Sequence, residues 1–111
     1  EGVLLLTPFA ATSTDDLTVN FVAKYQAAYN EIPIQFAADA YDGIYILLAA
    51  AEKAGITSDT SPEEACELLI EAMQELSFTG LTGEMTWDEN GGVNKVPMIK
   101  KITNGAYADV D

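Results

Sequence analysis

The chain has 111 residues, 49% hydrophobic and 21% charged, the composition of a folded globular chain able to bury a modest core. Eighteen acids stand against five lysines, with no arginine and no histidine, for a formal net charge of −13. A surface of that sign repels nucleic acid and anionic membranes, and a lone Cys66 excludes an intramolecular disulfide and a cysteine-based zinc site.

Residues 3–6 (VLLL) form a continuous apolar run closed by Thr7-Pro8, which predicts a strand buried on both faces. The chain starts directly on that strand, without a signal or basic leader, as a piece of something longer would. Residues 9–14 read as a loop. Ser13 or Thr14 is placed to cap a helix, with Asp15 and Asp16 in its first turn. Leu17, Phe21, Tyr25 and Ala28 give that helix one apolar face, and it ends near Asn30, ahead of Pro33.

The second helix is predicted over residues 35–55, from just after Pro33 to a glycine suited to a helix C-terminus. Tyr41, Ile44, Tyr45, Leu48 and Ala51 recur at helical spacing, and five alanines widen the stripe, so burial on more than one side is expected. Asp39 and Asp42 are expected in its first turn, and Phe36 sits at its mouth. Gly43 lies in its interior, where close approach of another backbone would account for it. The same acids, with Glu52, interrupt the best candidate for a membrane span.

A polar linker over residues 57–60 leads to Ser61-Pro62-Glu63-Glu64, a cap residue followed by proline at the first helical position. Ala65, Leu68, Leu69, Ala72 and Leu76 supply the apolar face of this third helix, with Cys66 near its edge. Residues 78–83 (FTGLTG) read as a turn-rich connector. Residues 85–87 then form a strand, followed by an Asn90-Gly91 hairpin turn. Two more short strands, 97–102 and 106–110, flank a second turn at Asn104-Gly105. One long strand and three helices cannot close a parallel sheet, so strands from another segment or chain are needed.

Little here could carry catalysis. Asp39 and Asp42 lie three apart on one helix and could formally pair as acid and base, but nothing supplies a nucleophile. Residues 88–92 (DENGG) fail the EF-hand pattern, and a hairpin turn accounts for them better. Cys66 has no basic neighbour in sequence that would activate it.

Taken in order, EGVLLLTPF, KYQAAYNEIP, AADAYDGIYILLAAAEKAG, SFTGLTGEMTWDENGG and KKITNGAYADV resemble the C-terminal portion of type I periplasmic solute-binding proteins of ABC transporters, of the branched-chain amino acid receptor kind. The resemblance implies an α/β fold: part of a type I periplasmic-binding-protein fold, with one buried strand, three helices and C-terminal short antiparallel strands, incomplete as a single domain. It places residues 1–80 with the N-terminal lobe and residues 81–111, crossover and hairpin strands, at the end of the C-terminal lobe. It further implies a ligand in the cleft between lobes, with Phe36 as apolar wall and Asp39 and Tyr41 at the rim. No catalytic residue, cofactor or metal is implied.

The expected function is therefore that of a fragment of an extracytoplasmic receptor, in the periplasm or lipid-anchored at the cell surface. It would bind an amino acid or similar small molecule by hinge closure and deliver it to an ABC permease. The isolated piece is expected to form a homo-oligomer, a dimer above all, through its uncovered apolar faces. An acidic protein-interaction module working through exposed apolar helix faces is the alternative. A reading frame extending upstream with more strand–helix units distinguishes the first from the second.

Overall fold

The computed structural model describes residues 1–110; Asp111, the last residue of the expected second segment, lies outside the described residues. The elements are β1 (Leu4–Thr7), α1 (Asp16–Tyr29), α2 (Gln35–Ala54), α3 (Pro62–Gln74), β2 (Ser77–Gly80), β3 (Gly83–Trp87), β4 (Val93–Asn94), β5 (Met98–Thr103) and β6 (Ala106–Asp109).

They fall into two antiparallel sheets. One is β1-β5-β6 and the other β2-β3-β4. β1 runs against β5 from Leu4 opposite Lys101 to Thr7 opposite Met98, so the first strand pairs with residues about 95 positions later. β5 turns into β6 through Asn104 (φ 53°) and Gly105 (φ 74°), the left-handed pair that a two-residue hairpin requires. The expected boundary at residue 80 does not follow this pairing, because β1 shares a sheet with β5 and β6 while β2 and β3 lie beside the helices.

The helices form where the local signals put them, with changes at their starts. α1 is capped by Asp15, whose Oδ1 accepts the Thr18 N–H at 3.0 Å, rather than by Ser13 or Thr14. α3 begins as predicted, with Ser61 Oγ accepting the Glu64 N–H at 3.3 Å and Pro62 in the first turn. Asn30 and Gly55 end α1 and α2 in the left-handed conformation. α2 starts at Gln35 behind Ile34, which gives no side-chain cap, so Asp39 and Asp42 lie beyond its first turn.

Residues 78–83 are not a connector, whereas the strand expected at 85–87 is present. Residues 77–87 form the β2–β3 hairpin, paired from Ser77 opposite Thr86 to Gly80 opposite Gly83, with only Leu81 and Thr82 in the turn. Threonine, phenylalanine, methionine and tryptophan favour the pleat there, and the glycines serve the tight turn.

The core is small. Phe9, Phe21, Ala38 and Leu81 bury together, with Val22, Tyr25 and Ala37 packed around them. Phe9 meets Phe21 edge-on at 5.9 Å. Ala50 on α2 and Ala72 on α3 are buried small residues that allow those two helices to pack closely.

Much apolar surface stays outside. β1 is not buried on both faces: Leu4 and Leu6 are exposed and only Thr7 is buried. The stripe on α2 is likewise uncovered at Ile44, Tyr45, Leu47 and Leu48, while the buried positions are Ala38, Asp42 and Ala50. No backbone approaches Gly43, where a Cβ would meet nothing within 4 Å. The molecule measures 53 × 31 × 20 Å with a radius of gyration of 16.7 Å, against about 13 Å for a compact domain of this length. Its accessible surface of 7629 Å² exceeds by about 1,700 Å² the roughly 5,900 Å² of a compact monomer of this mass. Among the described residues no helix is long and apolar enough to cross a membrane.

Candidate functional site

The entrance of α2 and the end of β1 are brought together by Thr7. Its hydroxyl donates to the Phe9 carbonyl at 2.8 Å, accepts the Phe9 N–H at 3.3 Å and reaches Gln35 Oε1 at 3.3 Å. The chain bends at Pro8, directly after the strand, and Phe9 enters the core. Thr12 Oγ1 donates to the Tyr107 carbonyl at 3.0 Å, tying the same loop to β6.

These links frame a cleft of about 530 Å³ between the mouth of α2 and the β1-β5-β6 sheet. Phe36 stands on one wall, exposed over 69% of its surface, with Pro33 and Ile34 beside it. Thr7, Thr12, Ala106 and Tyr107 line the other. The lining is apolar with a few hydroxyls and backbone groups, the character of a small-molecule site.

The other two expected site residues lie elsewhere on α2. Asp39 pairs with Lys95 Nζ at 3.3 Å, and that lysine also donates to Thr82 Oγ1 at 2.8 Å. Tyr41 belongs to an aromatic row: its ring is 4.9 Å from Phe21 and 4.9 Å from Tyr45, with Tyr25 and Tyr29 continuing beyond Phe21. The Tyr41 phenol is pushed above its ordinary value by its hydrogen bond to Tyr45, then by burial and by the charges of Tyr45 and Asp42. Neither residue lines the Phe36 cleft.

Asp42 is the most constrained acid. It is 3% exposed, and its carboxylate accepts Leu81 N–H at 2.8 Å, Thr82 N–H at 2.9 Å and the Thr82 hydroxyl at 2.8 Å. Both oxygens are engaged in holding the β2–β3 turn, which removes the acid–base pairing with Asp39. The turn at 88–92 is organised by Asp88, whose Oδ1 accepts from Asn90 N–H at 2.9 Å and Gly92 N–H at 2.8 Å. Among the described residues no group of three or more carboxylate or thiol side chains is placed to hold a metal ion.

Thr7, Thr12 and Tyr107 carry no local signal in the sequence that would mark them as site residues. They meet Phe36 only because a strand near residue 5 pairs with one near residue 100.

A three-stranded sheet and a helical body carrying a second one, with a cleft between the mouth of α2 and the first sheet, make up part of a larger α/β fold. Residues 1–100 match the periplasmic binding protein family, and the chain belongs to it. A search of curated proteins gave no match. Among solved structures, the ABC transporter substrate-binding protein of Desulfitobacterium hafniense in complex with Leu is similar with a TM-score of 0.79 and 23% identity, over 99% of this chain and 31% of that one. A leucine binding protein of Thermotoga maritima is similar with a TM-score of 0.71 and 27% identity, over 97% of this chain and 29% of that one. A solute binding protein of Rhodopseudomonas palustris in complex with 3,4-dihydroxy benzoic acid gives 0.78 and 22%, over 98% and 29%. The chain thus spans about three-tenths of the length of these relatives and carries part of their fold. Periplasmic binding proteins are extracytoplasmic transport receptors without catalytic activity.

Proposed function

We propose that this chain forms part of a receptor that encloses an amino acid or similar small molecule between two lobes and hands it to an ABC permease. The observation that carries this is the cleft shared by Phe36 from the helical body and Tyr107 from the β1-β5-β6 sheet. A ligand there would touch both bodies at once, which is what allows binding to drive hinge closure. The sheet β1-β5-β6 would belong to one lobe and the helices with β2-β3-β4 to the other, linked through residues 8–15 and 95–97.

Phe36 supplies the apolar wall. Tyr107 offers a polar group opposite it, while the buried Thr7 hydroxyl is already bonded to Phe9 and Gln35. Asp39 and Tyr41 are at most rim residues, reached only if closure or the remainder of the receptor brings the ligand to their faces of α2. The leucine and 3,4-dihydroxybenzoate ligands of the similar receptors are both small carboxylates with an apolar body, the chemistry that a phenylalanine wall accommodates. The receptor acts outside the cytoplasm, in the periplasm or lipid-anchored at the cell surface.

Calorimetry on the full-length receptor with leucine, valine and 3,4-dihydroxybenzoate tests this. One of them should bind, and Phe36→Ala should weaken it about 10- to 100-fold, the loss expected for removing a large apolar contact. Unchanged affinity would remove Phe36 from the site.

A further inference from the structure

A second concavity lies away from the cleft, between α3 and the loop joining β3 to β4. It is an open groove of about 500 Å³. Its floor is Cys66, Leu69, Ile70 and Met73, spaced i, i+3, i+4 and i+7 and therefore on one face of α3. Trp87, the last residue of β3, closes one side, and the 88–91 loop forms the rim. Ile70 remains exposed over 50% of its surface.

The flanks of this apolar floor carry carboxylates, Glu63 and Glu67 on α3 and Asp88 and Glu89 in the loop, while Glu71 and Glu75 lie on the other side of α3, where Glu75 pairs with Lys53 at 3.5 Å. Asp88 is used internally to fix the loop, which holds Glu89 at the rim beside the floor. Glu63 and Glu67 precede and follow Cys66 on α3.

We propose that this groove docks a cationic amphipathic helix of a partner protein. An apolar floor laid along a helix, open at its ends, takes the i, i+3, i+4, i+7 face of another helix. Leucine-like side chains of the partner fill the space between Ile70, Met73 and Trp87, while its lysines or arginines answer the carboxylates on both sides. Anionic helices, nucleic acid and anionic lipid are repelled by the same charges. The surface is separate from the Phe36 cleft, and its occupancy does not depend on the transport ligand.

Trp87 is the single tryptophan of the chain, so its emission reports the groove directly. Titration with a synthetic leucine–lysine amphipathic helix should shift that emission to the blue and saturate. Ile70→Ser and, separately, the charge reversals Glu67→Lys and Glu89→Lys should each weaken binding about 5- to 10-fold; the reversed positions lie on the surface and leave the packing intact, with helix content by circular dichroism as the check. Added salt should weaken binding without abolishing it. Three outcomes overturn the proposal: no change in Trp87 emission, equal binding of a leucine–glutamate helix, or equal binding of polylysine, which would reduce the attraction to charge alone.

Discussion

The Asp42 carboxylate receives both the backbone N–H and the hydroxyl of Thr82, forty residues further along the chain. With the Leu81 N–H it closes three hydrogen bonds from a buried position, so α2 and the β2–β3 turn are held as one body. Charge-assisted bonds of this kind are among the stronger ones, and each donor stranded by their loss is costly.

Replacing Asp42 with alanine should therefore cost about 3–5 kcal/mol, and Asp42→Asn less, because one acceptor oxygen survives while the amide faces a backbone N–H. Gly80 belongs to the same arrangement: a Cβ there would sit 2.5 Å from Asp42 Oδ1. Gly80→Ala should cost about 1–3 kcal/mol, and less in the Asp42→Ala background, where the obstruction is gone. Urea denaturation of the unaltered chain, the three single variants and the double variant measures this. Strict additivity would show that the two positions do not meet.

Asp15 makes α1 sensitive to acid. Burial pushes its carboxyl upward, but the Thr18 N–H and hydroxyl, with the Asp15 and Leu17 N–H groups, prevail and hold it below the ordinary value of 3.8. A carboxyl depressed in the folded state stabilises the fold above its unfolded value, and that contribution is lost as the pH falls through the folded value. Asp15→Ala should cost about 1 kcal/mol at neutral pH. Asp15→Asn keeps an acceptor, so it should cost little at pH 7 and flatten the decline below about pH 4. An acid limb identical to that of the unaltered protein would exclude Asp15 as its source.

Lys95 stands at the start of the link between the two sheets and bridges Asp39 and Thr82. A double-mutant cycle of Asp39→Asn and Lys95→Met should give a coupling near 0.5 kcal/mol, falling with salt, since both side chains are partly exposed. A coupling that salt leaves unchanged would mean the pair is buried in the working protein.

The uncovered faces of β1 and α2 predict self-association of the 111-residue chain taken alone. An excess of about 1,700 Å² over a compact monomer is the size of a standard protein interface. Light scattering at micromolar concentration should find dimers or larger species, and a double change of Ile44→Lys and Leu48→Lys should shift them towards monomer. A monodisperse monomer before any substitution would refute this.

Local chemistry alone was enough for the three helices and for the Asn104-Gly105 hairpin. Capping, proline placement and left-handed turn residues act within a few positions, so they are visible in a linear string. Phe36 at the mouth of α2 was also visible, through the pattern AADAYD and its likeness to a receptor family. The rest was not local. Whether a stripe such as Tyr41, Ile44 and Leu48 is buried depends on what packs against it, and periodicity is the same either way. The FTGLTG segment reads as a connector because its glycines obscure the alternation of a hairpin. In the linear string Asp42 reads as a helix-start acid; its partners, Leu81 and Thr82, reach it only in the fold. Helix starts and turns are short-range and lie in the sequence; the pairing of β1 with β5, the sharing of Phe36 and Tyr107 in one cleft and the burial of Asp42 depend on contacts between residues forty to a hundred apart, and only the tertiary structure decides those.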